Sequence, residues 1–284
     1  MPDENAVRFV FHRPSAVSKS TTLPCVVYLH GGGMVAQSCF YAHYRAWARL
    51  LARQGLAVLL VDFRNALIPG IVGSPDSSGQ VAPYPAGLND CVSSVRWLHA
   101  NAARLIVDPA RIVVAGESGG GNLAIATALR LKRDGEGALL SGVYAMCPYL
   151  LGSWPDAKYP STAENQGILL TLDGTAAHLY GRSAFEARDP CAWPGFATTA
   201  DLSGFPRTFV SLNECDPLRD EGIAFYRKLV EAAVPAQCRI VVGTAHGGEL
   251  FMVMPDVSLS TAQSISAFAW AQDNLLPAAL KARL

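Results

Sequence analysis

The stretch that decides the fold of this chain reads Arg111-Ile112-Val113-Val114-Ala115-Gly116-Glu117-Ser118-Gly119-Gly120-Gly121-Asn122-Leu123-Ala124-Ile125-Ala126. Residues Ile112 to Ala115 form a short apolar run rich in β-branched side chains, which is typical of a buried strand, and apolar residues recur at helical spacing from Asn122 to Leu131. Between them lies a Gly-x-Ser-x-Gly pattern, whose glycines let neighbouring backbone approach closely while the serine adopts a strained conformation. The sequence therefore predicts a strand, a sharp turn and a helix, with Ser118 exposed at the turn as a candidate nucleophile.

The composition limits the kind of ligand that this chain can bind. It has 284 residues, 50% of them hydrophobic, which is enough for one large α/β domain with a sizeable core. Its 23 basic and 23 acidic residues give a formal charge of zero, so nothing favours a nucleic acid or an anionic membrane surface as a partner. We therefore expect a small, uncharged ligand, and a homodimer stays open as an assembly.

The cysteines and the first residues indicate the compartment. The seven cysteines include no Cys-x-x-Cys pair, so neither a disulfide framework nor a zinc site is predicted. The N-terminus lacks a basic start followed by an apolar stretch, and no window reaches the ~18 apolar residues of a membrane span. We expect a soluble, cytoplasmic protein without stable membrane insertion.

Strand-like and helix-like segments alternate along most of the chain. The predicted strands are Val7 to His12, Cys25 to Leu29, Ala57 to Asp62, Ile112 to Ala115, Gly142 to Cys147, Thr208 to Leu212 and Arg239 to Val242. The predicted helices are Tyr41 to Arg53, Pro85 to Asn101, Asn122 to Arg133, Asp220 to Ala232 and Leu259 to Leu275. Such alternation favours an α/β fold with a mostly parallel central sheet flanked by helices.

Two long stretches interrupt this alternation. Residues 66–83 form a turn-rich loop with several glycines and prolines, and residues 150–205 hold one predicted helix, Asp173 to Gly181. Neither has the pattern of an independent domain, so we expect residues 1–284 to form a single domain. Long insertions on an α/β scaffold often cover or shape a substrate site, which makes residues 150–205 a candidate cap or lid.

A serine nucleophile needs donors for the negative charge that develops on the attacked carbonyl oxygen. The segment His30-Gly31-Gly32-Gly33 directly follows the predicted strand Cys25 to Leu29, and its glycines allow the loop to turn backbone N–H groups toward the site. The N–H of Gly119, just after the serine, is a further candidate donor. We predict an oxyanion hole at this loop.

The serine also needs a base, and the best candidate among six histidines is His246. It lies in a glycine-containing loop just past the strand Arg239 to Val242, where parallel sheets present functional groups. The other histidines are His12, His30, His43, His99 and His178, whose positions in predicted strands, helices, the glycine loop or the insertion favour structural roles.

The acid that orients the base should lie between the serine and the histidine in sequence. Asp216 follows the strand Thr208 to Leu212, and Pro217 keeps its backbone extended. Asp220 is a rival that fits better as the N-cap of the next helix, and Glu214 is a weaker one. An ionised Asp216 would accept a hydrogen bond from Nδ1 of His246 and stabilise the imidazolium.

These segments together resemble the hormone-sensitive-lipase-like branch of the α/β-hydrolases. The likeness rests on the glycine loop at His30, the Gly-Glu-Ser-Gly-Gly turn at Ser118, the Asp-Pro-Leu-Arg-Asp-Glu run at Asp216 and the His-Gly pair at His246. Within that branch, Val61 to Ala66 and the segment from Pro85 to Cys91 resemble a bacterial lactone-hydrolysing member.

The resemblance implies a serine carboxylic-ester hydrolase, an esterase or lactonase without metal or organic cofactor. It implies a triad of Ser118, Asp216 and His246 and an oxyanion hole of the N–H groups of Gly32, Gly33 and Gly119. Members of the branch usually carry an N-terminal part of the cap, and few residues precede Cys25 here, so a reduced cap is expected.

Alternatives from other classes stay open at this point. A non-catalytic small-molecule-binding protein can use the same fold, as the plant gibberellin receptors do, although those have lost the catalytic histidine. An amide or carbamate hydrolase would use the same nucleophile and oxyanion hole. Glu117 is interpreted as an electrostatic neighbour of His246 or as a hydrogen-bonding residue of the turn. Apolar side chains near the site are interpreted mainly as core, namely Met34, Trp193, Leu250 and Phe251.

Overall fold

Most of the chain is described by the computed structural model. The described residues are 5–15, 17–18, 20–67, 80–154, 156–251 and 254–271. Their strands are β1 Arg8–His12, β2 Leu23–Leu29, β3 Ala57–Asp62, β4 Val107–Glu117, β5 Gly142–Met146, β6 Thr208–Cys215 and β7 Ala236–Ala245. Their helices are α1 Ala42–Arg53, α2 Ala86–Ala100, α3 Ala102–Leu105, α4 Gly119–Arg133, α5 Ser161–Glu164, α6 Thr175–Glu186, α7 Thr199–Leu202, α8 Arg219–Glu231, α9 Gly248–Phe251 and α10 Pro255–Trp270.

The strands form one sheet in the order β1-β3-β2-β4-β5-β6-β7. Only the β1–β3 pair is antiparallel among the pairings of the described strands. The predicted α/β class and mostly parallel sheet are confirmed. Each predicted strand has a counterpart, because strands that are buried on both faces read as apolar runs in sequence.

The two faces of the sheet belong to two separate cores. Val27 and Leu29 of β2 pack into the core under α2 and α4, whereas Val26 and Tyr28 pack into the core under α1 and α10. This alternation is the period of two of a strand, and it buries all seven residues of β2. The parallel strands therefore place their carboxyl ends along one edge of a sheet that is packed on both faces.

Some predicted boundaries are wrong. β4 begins at Val107 rather than Ile112, because Leu23 of β2 pairs with Val107 across a stretch whose polar residues and proline hide the strand in sequence. α4 begins at Gly119 rather than Asn122, since close packing on β2 imposes a helical turn that glycine does not favour by itself.

The insertion at residues 150–205 is more helical than predicted. It contains α5, α6, α7 and a 3₁₀ turn at Pro194–Phe196, where one helix was expected. α6 continues past the predicted end at Gly181, whose φ of 176° and ψ of 84° interrupt the helical conformation. α5, α7 and the 3₁₀ turn escape sequence patterns because each has three or four residues, too few to show a helical period.

Within the described ranges, no helix is both long and apolar enough to cross a membrane. Residues 68–79 of the predicted turn-rich loop lie outside the described residues, and a bridge between Asn65 and Val81 flanks that segment.

Candidate active site

Ser118 occupies the sharp turn between β4 and α4. Its φ of 57° and ψ of −120° are strained for a residue with a side chain. A Cβ at Gly116 would lie 2.4 Å from the carbonyl oxygen of Gly120, and one at Gly120 would lie 2.0 Å from that of Leu29. The turn is therefore tight enough to require glycine on both sides of the serine.

The glycine loop after β2 lies directly beside this turn. Gly31, Gly32 and Gly33 line the same cavity as Ser118. A Cβ at Gly119 would lie 2.8 Å from the backbone nitrogen of Gly33. The three predicted oxyanion donors, Gly32, Gly33 and Gly119, are thus brought close together beside Ser118.

His246 and Asp216 meet at the ends of β7 and β6. The Nδ1 atom of His246 lies 2.9 Å from Oδ2 of Asp216, and both side chains are buried. Burial is the largest single influence and lowers the pKa of His246, but the charge of Asp216, the neighbouring Cys147 and the hydrogen bonds to both together raise that pKa well above its ordinary value. His246 also lines the cavity with Ser118, while Asp216 lies behind His246 and is fully buried.

The two rival carboxylates have other partners. Asp220 lies within the first turn of α8, which has Leu218 at its N-cap, so the predicted capping role of Asp220 is wrong. Its carboxylate accepts hydrogen bonds from the backbone N–H of Ser161 and the Nε of Arg219. Glu214 accepts from the backbone N–H of Gly243 at 2.7 Å. Asp216 is the acid that the fold brings to His246.

The sequence analysis missed Cys147, which follows β5 and adjoins the His–Asp pair. Its Sγ, a carboxylate oxygen of Asp216 and a ring nitrogen of His246 all lie within 4.8 Å of one another. Burial raises the pKa of the thiol to about 11, which keeps it neutral near pH 7. These are donor types that metals bind, but Nδ1 and Oδ2 already share a hydrogen bond, which fits an imidazole that is oriented by a carboxylate.

The cavity has a volume of about 270 Å³ and an apolar lining for the most part. The insertion supplies one side of it with Leu170, Leu172, Asp173 and Ala176. Phe251 also lines the cavity, so its interpretation as core is wrong, whereas Trp193 is fully buried in the core. Sequence reasoning identified the glycines, Ser118 and His246 of the lining but not Leu170, Leu172, Asp173 and Ala176, which come from a segment without a strong period.

Among the other histidines, His30 begins the glycine loop and is fully buried. Its ring stacks on Phe63 with the centroids 4.0 Å apart. Burial lowers the pKa of His30 to about 4, so the ring is neutral near pH 7.

A strained serine beside a buried His–Asp pair and a glycine loop defines the class of serine hydrolases built on an α/β sheet. Comparison with known proteins gives the family. A model of the alpha/beta hydrolase fold family matches residues 26–250. The chain belongs to this family.

Individual relatives place the chain more narrowly. It is 33% identical over 250 residues to carboxylesterase NlhH of Mycobacterium tuberculosis, a match that covers 86% of this chain and 73% of that protein. The solved structure of esterase Est22 is 54% identical with a TM-score of 0.90, covering 95% of this chain and 79% of that one. Brefeldin A esterase, described as a bacterial homologue of human hormone-sensitive lipase, is 38% identical with a TM-score of 0.84. This match covers 94% of this chain and 73% of that one. The predicted branch and the enzyme class, an ester-hydrolysing serine hydrolase, are confirmed.

Proposed function

We propose that this chain hydrolyses small, uncharged carboxylic esters or lactones through an acyl-enzyme formed on Ser118. In this proposal His246 is the general base and Asp216 orients it. The N–H groups of Gly32, Gly33 and Gly119 bind the oxyanion. The proposal requires no metal or organic cofactor.

One observation carries the proposal. Ser118 is held in a strained conformation on the wall of a cavity that it shares with His246, whose Nδ1 is bound to Asp216 at 2.9 Å. Strain of this kind persists only where the surrounding structure maintains it, and it concentrates at functional sites. A non-catalytic binding protein has no need of a buried imidazole–carboxylate pair beside a strained serine.

The chemistry follows from the ionisable groups. As the Oγ of Ser118 attacks the ester carbonyl carbon, Nε2 of His246 takes the hydroxyl proton, and Asp216 stabilises the resulting imidazolium. The carbonyl oxygen becomes an oxyanion and accepts hydrogen bonds from the backbone donors. Collapse breaks the bond to the alcohol oxygen, which receives the proton from His246. Water then repeats the sequence on the acyl-enzyme and releases the acid.

The cavity supports a small substrate. Its volume of about 270 Å³ and mostly apolar lining suit a short acyl chain or a small lactone ring better than a long lipid chain. We propose that residues 150–205 act as the cap of a single domain, because Leu170, Leu172 and Ala176 from this insertion line the cavity.

The decisive experiment is hydrolysis of p-nitrophenyl acetate by Ser118→Ala. We expect kcat to fall by about 10⁴-fold or more, because the variant has no nucleophile while binding is retained. Ser94→Ala is the matched control, since Ser94 is a buried helical serine whose hydroxyl bonds to the carbonyl of Asp90. Near-normal activity of Ser118→Ala would contradict the proposal.

The type of bond is tested with an ester and an anilide of the same acyl group. An oxyanion hole and a serine nucleophile serve both substrates, so only the rates separate them. We expect the ester to be hydrolysed far faster. An equal or greater kcat/KM for the anilide would replace the esterase assignment by an amidase one.

A further inference from the structure

The carboxylate of Glu117 connects the nucleophile turn to the glycine loop. Glu117 is the last residue of β4 and directly precedes Ser118, and its side chain is fully buried. Its Oε1 accepts a hydrogen bond from the backbone N–H of Gly31 at 2.6 Å. Gly31 begins the run of three glycines that supplies the proposed oxyanion donors.

Two buried tyrosines hold the same carboxylate. The hydroxyl of Tyr28, on β2, donates to Oε2 of Glu117 at 2.5 Å. The hydroxyl of Tyr44, on α1, lies 2.6 Å from Oε1 and also accepts from the N–H of Gly31 at 3.1 Å. Both tyrosines are fully buried, so their hydroxyls rather than bulk water satisfy the carboxylate.

Tyr44 extends the network to the far end of the loop. Its hydroxyl lies 2.6 Å from Oε1 of Gln37 as well, and its single proton can be donated to either oxygen. Gln37 has a φ of 80° and lines the cavity. The loop from Gly31 to Gln37 therefore contacts one buried network at both ends, through Glu117 at Gly31 and through Tyr44 at Gln37.

A buried carboxylate is costly to maintain in a fold. Burial raises the pKa of Glu117 to about 7, and the hydrogen bonds from Tyr28, Tyr44 and Gly31 limit the rise. An apolar residue in the same place would avoid this cost but would leave the Gly31 N–H and the tyrosine hydroxyls without their acceptor. The Gly31 N–H and the two tyrosine hydroxyls therefore need a hydrogen-bond acceptor at position 117. This need is expected if Glu117 positions the glycine loop.

We propose that Glu117 is a positioning residue for the reaction, which acts through Gly31 and Tyr44 to hold the oxyanion donors in register with Ser118. This inference rests on the proposed acyl-transfer function. Glu117 does not touch the substrate in this scheme. Glu117 instead affects how well the N–H groups of the loop bind the transition state, because the oxyanion that they stabilise forms only as the transition state is reached.

The test compares two buried tyrosines. Tyr44→Phe removes the hydroxyl that joins Glu117, Gly31 and Gln37. The matched control is Tyr144→Phe, because Tyr144 is equally buried and its hydroxyl bonds to Ser264 on α10, away from the loop. Each variant loses one buried hydroxyl, so similar decreases in Tm are expected.

We expect Tyr44→Phe to lower kcat about 10-fold, less than the about 10²–10³-fold cost of removing an oxyanion donor outright, with KM within about 3-fold of the wild type. Affinity for an alkyl trifluoromethyl ketone, which forms a hemiketal oxyanion with the serine, should fall by a similar factor. Tyr144→Phe should change neither quantity by more than about 3-fold.

Glu117→Gln provides a second variant that preserves shape. The amide oxygen can still accept from Gly31, but a neutral acceptor binds more weakly. We expect kcat and ketone affinity to fall together by about 3- to 10-fold, again at nearly constant KM.

Equal kcat and ketone affinity in Tyr44→Phe and Tyr144→Phe would overturn the positioning role, as would losses confined to KM. Ser118→Ala separates this failure from a failure of the proposed function. If Ser118→Ala is inactive while Tyr44→Phe matches its control, the esterase mechanism stands and only the role of Glu117 falls.

Discussion

Two adjacent residues of the glycine loop, Gly32 and Gly33, both proposed oxyanion donors, should respond very differently to substitution by alanine. Both have positive φ, 92° at Gly32 and 62° at Gly33. A Cβ at Gly32 would lie 2.2 Å from the carbonyl oxygen of Ala36, whereas a Cβ at Gly33 would meet only side-chain atoms, at 3.7 Å and beyond. Position 32 therefore has no room for a methyl group, and position 33 does.

The displacement sets the size of the effect. Real Cβ contacts essentially never fall below 3.0 Å, so Gly32→Ala must move the loop by about 0.8 Å, and a misplacement of about 1 Å can cost about 10²-fold in rate. We expect kcat/KM of Gly32→Ala to fall by about 10²-fold. Gly33→Ala keeps the loop in place at a cost of about 1–2 kcal/mol for a left-handed alanine, so its kcat/KM should stay within about 10-fold.

The assay is hydrolysis of p-nitrophenyl acetate by both variants, with Tm measured beside it. Near wild-type activity for Gly32→Ala would refute the steric argument. Equal losses of kcat/KM for the two variants would also refute it, because the loss would then reflect any substitution in the loop rather than the clash at position 32.

Three further outcomes follow from the His–Asp pair and from a buried ion pair. Asp216→Asn should lower kcat by about 10⁴-fold, because the amide favours the wrong tautomer of His246. Since the neutral imidazole of His246 is the proposed base and its pKa is raised, kcat/KM should decline as the pH falls, with a midpoint above the ordinary histidine value of 6.5. Asp90→Asn should lower the free energy of unfolding in urea by about 3–5 kcal/mol, since Arg64 would lose its buried charge partner at 2.8 Å.

The two substitutions have matched controls, and the pH profile has an outcome that would contradict it. Asp220→Asn removes a neighbouring carboxylate that does not contact His246, so similar turnover by Asp216→Asn and Asp220→Asn would contradict the assigned acid. A pH midpoint at or below 6.5 in the wild type would contradict the raised pKa. Asp108→Asn removes a partly exposed partner of Arg111 at 3.6 Å and should cost less than about 1 kcal/mol. An equally small decrease in the free energy of unfolding for Asp90→Asn would contradict the stabilising role of the buried pair of Arg64 and Asp90.

The candidate site residues were predictable because each lies in a short sequence pattern that indicates its local structure. Gly116 and Gly120 flank Ser118 since no side chain fits that turn, and the same restriction leaves a visible signature in sequence. Asp216 and His246 follow apolar strands, and parallel strands present their carboxyl ends at one edge. For these residues, the chemistry of each segment is enough to predict its place.

The lining of the cavity was not predictable in the same way. Leu170, Leu172 and Ala176 lie in a segment of short helices whose positions depend on packing against the sheet. Phe251 reads as a core residue, yet it is 39% exposed and lines the cavity. Apolar residues have the same sequence signal on a core face and on a cavity wall.

By itself, the sequence determined the α/β class, the strand–turn–helix at Ser118 and the candidate site residues, because backbone sterics and strand periodicity act over a few neighbouring positions. Only the tertiary structure decided that Cys147 adjoins the pair of His246 and Asp216, and that Glu117 bonds to Gly31. Those contacts join residues 69 to 99 positions apart. Their partners are chosen by the order and register of the strands, which no local pattern contains.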